Sequence, residues 1–159
     1  MAKKQKTSDN TIIAQNKRAR FDYHIEEQFE AGLSLQGWEV KSLRAGKGQI
    51  TDSYVFLKNG EAWLLNVQIQ PINTISTHFV VEPNRQRKLL LNRKEIRKLE
   101  VATEQKGHTV VALALYWKRH MVKCKIAIAG GKKQHDKRQS EKEKDWSRQK
   151  QRVMQHNQR

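Results

Sequence analysis

The chain has 159 residues, which is enough for one domain with appended segments and too few for two. Its 32 lysine and arginine residues outnumber 16 acidic residues, and the net charge of +16 favours a polyanionic partner, either nucleic acid or an anionic membrane face. A single cysteine excludes an internal disulfide, and the lack of a long apolar run argues against a signal peptide or a membrane span, so a cytoplasmic location is predicted.

Most of the positive charge lies at the two ends of the chain. Residues 1–20 carry six basic residues and one acidic residue, and residues 132–159 carry ten basic and four acidic residues. The 111 residues between them carry 16 basic and 11 acidic residues, which is close to an ordinary globular surface. This distribution predicts a mobile basic arm over residues 1–15, a folded domain over residues 16–131 and a basic tail over residues 132–159.

In the first half of the folded domain, the spacing of apolar residues alternates between the period of two typical of a strand and the period of about 3.6 typical of a helix. Alternating apolar residues predict a half-buried strand over residues 21–33. In "SLQGWEVKSLRAGKG" the period becomes helical, and Gly46 and Gly48 end the predicted helix. Period two then returns, and Asn59-Gly60 between two alternating runs predicts a hairpin with a type I′ turn. One face of the second hairpin arm is expected to consist of Trp63, Leu65, Val67 and Ile69.

The second half contains one more helix and two further strands. Asn92 and Glu95 have the spacing of a capping box and predict the start of a helix, with Ile96 and Leu99 directed inward. The runs on either side of residues 118–120 predict two strands, the first of them apolar on both faces. These short strands and turns predict a mainly β fold, a small closed antiparallel OB-like β-barrel of about six strands with inserted helices.

The sequence contains no motif typical of an enzyme. The glycines of "RAGKGQI" follow a predicted helix instead of a strand, so they end that helix and do not form a phosphate-binding loop. Glu26 and Glu27 are consecutive on a predicted strand and therefore point to opposite faces. The six histidines lack metal-ligand spacing, and Cys124 has no thiol neighbour. We therefore expect neither catalysis nor a metal or cofactor.

Three basic clusters indicate contact with nucleic acid. They are "NKRAR" at residues 16–20, "RQRK" at residues 85–88 and "GGKKQHDKR" at residues 130–138. Lys123 and Lys125 alternate with apolar residues on the last predicted strand, so their ammonium groups point outward. A single cluster is also typical of a solvated surface, but three clusters on one small domain favour binding.

The tail has a weak helical pattern. Ser140 and Glu143 have capping-box spacing, and Trp146, Val153 and Met154 share one helical face. Three apolar residues cannot offset the entropy of ordering the whole tail. We therefore expect the tail to be disordered in the free chain and helical against a large anionic partner.

Three motifs resemble the SsrA-binding protein family, SmpB, in order and spacing. They are "NKRARFDYHIEEQFEAGLSLQGWEVKSLRAGKGQITDSYV", "RQRKLLLNRKEI" and "GGKKQHDKR", and the resemblance extends from Asn16 to the end of the chain. It implies an OB-like barrel that binds the tRNA-like domain of transfer-messenger RNA (tmRNA, or SsrA RNA). Such an adaptor delivers tmRNA to stalled ribosomes, and the nascent peptide then receives a tag for degradation.

The resemblance implies a set of tmRNA-binding residues. By matching motif, Asn16, Glu30, Leu90 and Lys123 align with family positions implicated in binding tmRNA. The basic residues of the neighbouring clusters complete the predicted site, namely Lys17, Arg18, Arg85, Arg87 and Lys88.

The resemblance also implies that the tail enters the empty mRNA channel beside the decoding centre of the small ribosomal subunit and forms a helix there. The matching tail segment comprises Gly131, Lys132, Lys133, His135, Asp136, Lys137 and Arg138. The predicted site further includes Trp146, Val153 and Met154. Gln155 stands where the family often has a lysine, which leaves the role of that position open.

Composition alone leaves two other functions open. A ribosomal or assembly protein with an OB-like barrel and RNA-threading tails would have the same distribution of charge. An RNA-processing nuclease is a more distant alternative. Salt-washed ribosomes should retain a ribosomal protein but lose a factor, and a nuclease should degrade RNA when a metal ion is added.

Overall fold

The structure is a computed structural model that describes residues 10–73, 81–105, 107–131 and 134–157. Within these residues there are nine strands and four helices. The strands are β1 (Asn10–Gln15), β2 (Tyr23–Leu33), β3 (Gly48–Gln49), β4 (Tyr54–Lys58), β5 (Glu61–Leu65), β6 (Gln68–Ile69), β7 (Arg87–Leu90), β8 (Thr109–Lys118) and β9 (Met121–Gly131). The helices are α1 (Lys17–Asp22), α2 (Gly37–Arg44), α3 (Arg93–Gln105) and α4 (Gln134–Asn157).

Six of the strands close into a ring. In spatial order they are β4, β5, β7, β2, β9 and β8, and β8 pairs again with β4. Every pairing in the ring is antiparallel. Strand β1 also pairs with β8, and the short strands β3 and β6 form a separate two-stranded sheet. The predictions of a mainly β fold and of inserted helices are therefore confirmed.

The interior of the ring is apolar because inward residues alternate with outward ones along each strand. On β9, Val122, Cys124 and Ile126 are buried, and Leu99 of α3 belongs to the same core. Burying a side chain such as Leu99 stabilises a fold by roughly 1.5–3 kcal/mol. Burial also raises the pKa of the Cys124 thiol to about 12, so this thiol stays protonated at neutral pH.

The predicted turn and both predicted helices of the folded domain are present. Asn59 and Gly60 have φ angles of 52° and 71°, as a type I′ turn requires. At the start of α3, the Asn92 side chain accepts from the backbone N–H of Glu95 at 2.9 Å. In return, the Glu95 carboxylate accepts from the backbone N–H of Asn92 at 3.1 Å. These two reciprocal bonds are the predicted capping box.

The prediction that Trp63, Leu65, Val67 and Ile69 share one face is wrong, because Trp63 and Leu65 lie half-buried on the outside of β5 whereas Val67 and Ile69 are buried. The buried residues of this segment are Ala62, Leu64, Val67 and Ile69. Asn66 separates the two pairs and has a φ of 59°, and this conformation shifts the alternation by one residue. A pattern of period two in the sequence contains no signal for such a break.

The folded domain begins earlier than predicted. Residues 10–15, which were predicted to be mobile, form β1 and pair with the second half of β8. Ile13 packs against the core from this strand. Residues 17–22 form α1, so the strand predicted over residues 21–33 begins at Tyr23. The rest of the predicted arm, residues 1–9, lies outside the described residues.

The tail forms α4, whose apolar residues are exposed. Trp146, Val153 and Met154 are 64%, 60% and 65% exposed. Where α4 approaches α1, the ammonium of Lys137 lies 3.4 Å from a carboxylate oxygen of Asp22. A helix that buries so little apolar surface gains little from tertiary packing. The disorder expected for the free tail therefore stays a prediction. Among the described helices, none combines the length and apolar character needed to cross a membrane.

A buried ion pair joins α2 to β7. Glu39 and Arg87 are both fully buried, and Nε of Arg87 donates to Oε2 of Glu39. The same guanidinium donates to the carbonyl oxygens of Val67 and Arg85 at 2.9 Å and of Pro83 at 3.1 Å. Because these partners lie on different segments, Arg87 fixes α2 and the loop before β7 to the ring.

Replacement of Glu39 by Ala should lower the free energy of unfolding by about 3–5 kcal/mol, since it leaves the Arg87 charge buried without a counter-ion. Urea denaturation followed by circular dichroism would measure this decrease. The matched control is Glu61→Ala, which breaks an ion pair with Lys88 whose side chains are 43% and 41% exposed. That variant should be destabilised by no more than about 1 kcal/mol. Equal destabilisation of the two variants would contradict a structural role for the buried pair.

Candidate nucleic-acid interface

Three residues that the motifs assigned to tmRNA binding lie on one outward surface of the ring. The strand register places Leu90 of β7 opposite Gly32 of β2, and Gly32 opposite Lys123 of β9. Glu30 lies two residues before Gly32 and therefore shares its face. Lys123 is opposite Tyr116 of β8, which extends the same row of side chains. We define the outer face as Glu30, Gly32, Leu90, Tyr116, Lys118, Lys123 and Lys125.

Glu30 is the centre of a hydrogen-bonded group on the outer face. Its carboxylate accepts from the Tyr116 hydroxyl and, at 2.9 Å, from the ammonium of Lys118. The bond from Lys118 is the main cause that lowers the pKa of Glu30, and the bond from Tyr116 acts in the same direction. Burial and the bond to Glu30 together raise the pKa of Tyr116. The ionised Glu30 therefore orients a phenol and a cation from β8.

Leu90 is a large apolar side chain that remains 54% exposed on the outer face. Its neighbour Gly32 leaves room for it, because a Cβ atom on Gly32 would lie 3.1 Å from Cβ of Leu90. Few real Cβ contacts are that short, so any larger residue at position 32 would displace Leu90. The pair thus presents an exposed aliphatic surface directly beside Lys123.

Asn16 does not present its side chain to solvent. It is 5% exposed, and its Oδ1 accepts from the backbone N–H of Ala19 as the N-cap of α1. Its Nδ2 donates to the carbonyl of Ala112 at 3.0 Å. Asn16 therefore fixes α1 against β8, and the neighbouring Lys17 and Arg18 are the exposed residues. Arg18 pairs with Asp22 of its own helix at 3.2 Å.

The basic cluster at residues 85–88 does not form one surface, which corrects the assignment of Arg87 to the interface. Arg87 is 0% exposed because alternation along β7 turns it inward to Glu39. Arg85 is 26% exposed and donates to the same carboxylate. Only Lys88 of these three points away from the core, and it pairs with Glu61 at 3.0 Å. The sequence shows the charges of this cluster but not their directions.

A groove of about 1050 Å³ separates the outer face from α4. One wall includes Arg20, Phe21, Glu30, Tyr116 and Lys125, and the opposite wall is formed by α4. The ammonium groups of Lys137 and Lys144 lie 5.9 Å and 5.8 Å from the centre of the Phe21 ring. The groove thus brings the base of the tail close to the surface that the motifs assign to tmRNA.

The predicted tail site is only partly described. Gly131 is the exposed last residue of β9, Lys137 is half-buried, and Arg138 is exposed on α4. Lys132 and Lys133 lie outside the described residues, as do the side chains of His135 and Asp136. In the part of the chain that the structure describes, no group of three His, Cys, Asp or Glu side chains is placed to hold a metal ion.

A family model described as SmpB protein matches residues 13–156. The chain belongs to the SmpB family. The prediction made from the three motifs is thereby confirmed over nearly the whole length of the chain.

Similar proteins support the same assignment. An SsrA-binding protein of Chromohalobacter salexigens is 62% identical over 154 residues, which cover 97% of this chain and 98% of that protein. An SsrA-binding protein of Saccharophagus degradans is 61% identical over 153 residues and 96% of both chains. A solved structure described as "tmRNA-SmpB: a journey to the center of the bacterial ribosome" contains a similar chain. It is 44% identical with a TM-score of 0.63, and the match covers 80% of this chain and 87% of that one.

Three members of the outer face in this SmpB-family chain were not predicted from its sequence. Gly32 and Tyr116 lie within apolar runs, where they resemble ordinary strand residues. Lys118 lies at the predicted turn between the last two strands. Only the register of β2, β8 and β9 brings all three beside Glu30 and Lys123. A pairing register between distant strands leaves no local signal in one sequence.

Replacement of Lys118 by Met should raise the pKa of Glu30 toward its usual value, since the hydrogen bond from Lys118 is the largest cause of its lowered pKa. Titration of the Glu30 carboxyl group followed by NMR would measure the change. Lys41→Met is the matched control, because Lys41 is an exposed lysine of α2 that does not contribute to the shift. An unchanged Glu30 pKa in Lys118→Met would contradict the ion pair as its cause.

Proposed function

We propose that this chain is the RNA-binding adaptor of trans-translation and that the outer face binds the tRNA-like domain of tmRNA. The observation that carries this proposal is the convergence of Glu30, Leu90 and Lys123 from three different strands onto one surface. The SsrA-binding names of its relatives and the tmRNA-SmpB ribosome structure support the partner. In this proposal the six-stranded ring serves as an OB-like barrel, and the protein binds RNA in the cytoplasm without catalysing a reaction.

Each part of the outer face suits a different group of a folded RNA. Lys123 and Lys125 are half-buried lysines that place ammonium groups where they neutralise backbone phosphates. The exposed side chain of Leu90 offers an apolar contact to a ribose or to the face of an unpaired base. Glu30 cannot attract phosphate, and its bonds to Tyr116 and Lys118 hold those two groups in position. This fixed arrangement gives selectivity as well as charge.

Helix α1 extends the proposed tmRNA surface. Lys17 and Arg18 are exposed at its start, and the cap formed by Asn16 determines where they point. The role of Asn16 in this proposal is therefore to position α1, since both polar groups of its side chain are bonded within the protein. Lys88 and the partly exposed Arg85 lie at the β7 side of the surface.

The tail is proposed to act on the ribosome. Residues 132–159 carry ten basic and four acidic residues, which suits a channel lined with ribosomal RNA. Trp146, Val153 and Met154 are large apolar side chains that remain mostly exposed on α4, which supports a partner that covers them. The segment from Gly131 to Arg138 would then enter the empty mRNA channel beside the decoding centre. Gly131 at the end of β9 allows the chain to change direction there.

Replacement of Lys123 by Ala should weaken binding to the tRNA-like domain and flatten its dependence on salt. Each phosphate that the protein neutralises contributes about 0.9 to the slope of log K against log salt on a B-form duplex and about 0.7 on a single strand. Fluorescence anisotropy over a salt series would measure both effects. Lys41→Ala on α2 removes the same charge and should leave the slope unchanged. An unchanged slope in Lys123→Ala would mean that Lys123 only solvates the ring.

Truncation before Lys132 should separate the two activities. It leaves a net charge of +10, and the ring and α1 remain intact, so binding to tmRNA should largely survive. Tagging of stalled products in a reconstituted translation system should fail, because nothing would occupy the mRNA channel. Full-length protein is the control in both assays. Normal tagging by the truncated protein would contradict the proposed role of the tail.

A further inference from the structure

Helix α3 carries three cations close to its start. Arg93, Lys94 and Arg97 are exposed and lie within its first five residues. Among the described residues, none of the three forms an ion pair. The next cation, Lys98, differs because it pairs with Glu27 at 3.1 Å. The first turns of α3 therefore carry three positive charges that lack an ion-pair partner among the described residues.

This arrangement is unfavourable for the helix itself. The N-terminus of a helix is the positive end of its dipole, so cations there lower its stability. Arg93 and Arg97 have the i, i+4 spacing at which like charges repel each other, and Lys94 is three residues from Arg97. Glu95 is the one acidic residue of the first turn, and its carboxylate accepts the backbone N–H of Asn92. Local stability therefore does not account for the three cations.

The cations follow Leu90 of the outer face closely in the chain and line two shallow depressions. Arg93 follows Leu90 by three residues, so α3 starts at the end of β7 that carries Leu90. A depression of about 440 Å³ between α3 and the Asn59-Gly60 turn is lined by all three cations and by Glu100. A second depression of about 560 Å³ lies between Lys94 and Arg97 on one side and Glu26 and Glu27 of β2 on the other. An extended polyanion that crosses the outer face would meet α3 where β7 ends.

We propose that Arg93, Lys94 and Arg97 form a second site for the phosphate backbone of RNA, the α3 site. Residues 93 and 97 are separated by about 6 Å along the helix axis, so the three cations can bind neighbouring phosphates of one strand. A guanidinium group binds phosphate through two parallel hydrogen bonds. This geometry favours a phosphate group held at a fixed position in RNA over mobile counter-ions from solution. The proposal rests on the proposed function for the chemical nature of its partner, and it assigns residues outside the three basic clusters.

The double variant Arg93→Gln/Arg97→Gln in the full chain tests the α3 site. Two probes are used over a salt series, the transcribed tRNA-like domain of tmRNA and salt-washed ribosomes. The slope of log K against log salt should fall by about one for each phosphate that the variant no longer neutralises. A fall with the tRNA-like domain identifies tmRNA phosphates as the ligand, and a fall with ribosomes identifies ribosomal RNA. Unchanged slopes with both probes would overturn the proposal.

The control variant Lys41→Gln/Lys47→Gln removes two exposed cations from α2 and the loop after it, so the net charge is the same. Equal decreases in slope for both double variants would show that the effect depends on net charge alone, and this result would overturn the proposal of an α3 site. Failure of the wild-type protein to bind the tRNA-like domain would instead contradict the proposed function itself.

Two further readouts separate RNA binding from other roles of these cations. Removal of like charges from the start of α3 should leave the melting temperature unchanged or raise it. A lower melting temperature with unchanged RNA binding would assign the cations to folding. Vesicles of phosphatidylcholine and phosphatidylserine test whether the three cations instead bind an anionic membrane surface. Vesicle binding that is absent from the double variant, with no change on RNA, would show a membrane site and overturn the proposal.

Discussion

Strand β2 pairs with β9 along one edge and with β7 along the other, and the placement of the interface depends on this double pairing. With one face of the strand committed to the core through Phe29, Ala31 and Leu33, the residues between them must face outward. Glu30 and Gly32 then meet Lys123 from one neighbouring strand and Leu90 from the other. A shift of one residue in either register would bury these groups and expose the core.

The same alternation gives neighbouring cations opposite roles. Arg87 turns inward on β7 and is held by Glu39 and three carbonyl groups, whereas Lys88 turns outward. Buried charge needs fixed partners, so Arg87 contributes to the position of α2. An outward charge whose partner is partly exposed, such as Lys88 with Glu61, can exchange that partner for a phosphate at little cost. The direction of each basic side chain thus decides whether it stabilises the fold or is available to bind RNA.

Much of the fold could be predicted from the sequence because its signals are local. The Asn59-Gly60 turn, the Asn92–Glu95 capping box and the alternating strands each follow from a few adjacent residues. Strand β1 was missed since its stability comes from pairing with β8, about a hundred residues away. The outer face was predicted in part, because a family motif marks Glu30, Leu90 and Lys123 individually. Tyr116 and Lys118 depend on the register between β2, β9 and β8, which no local pattern contains.

NMR titration of the isotopically labelled full chain with the tRNA-like domain would show directly whether the outer face binds this RNA. The backbone amide signals of Gly32, Leu90 and Lys123 should shift together as the RNA is added, because all three residues lie in one row across β7, β2 and β9. Signals from the inward residues of the same strands should change less. Shifts confined to α4, with the outer face unchanged, would contradict the claim that the ring surface binds the RNA.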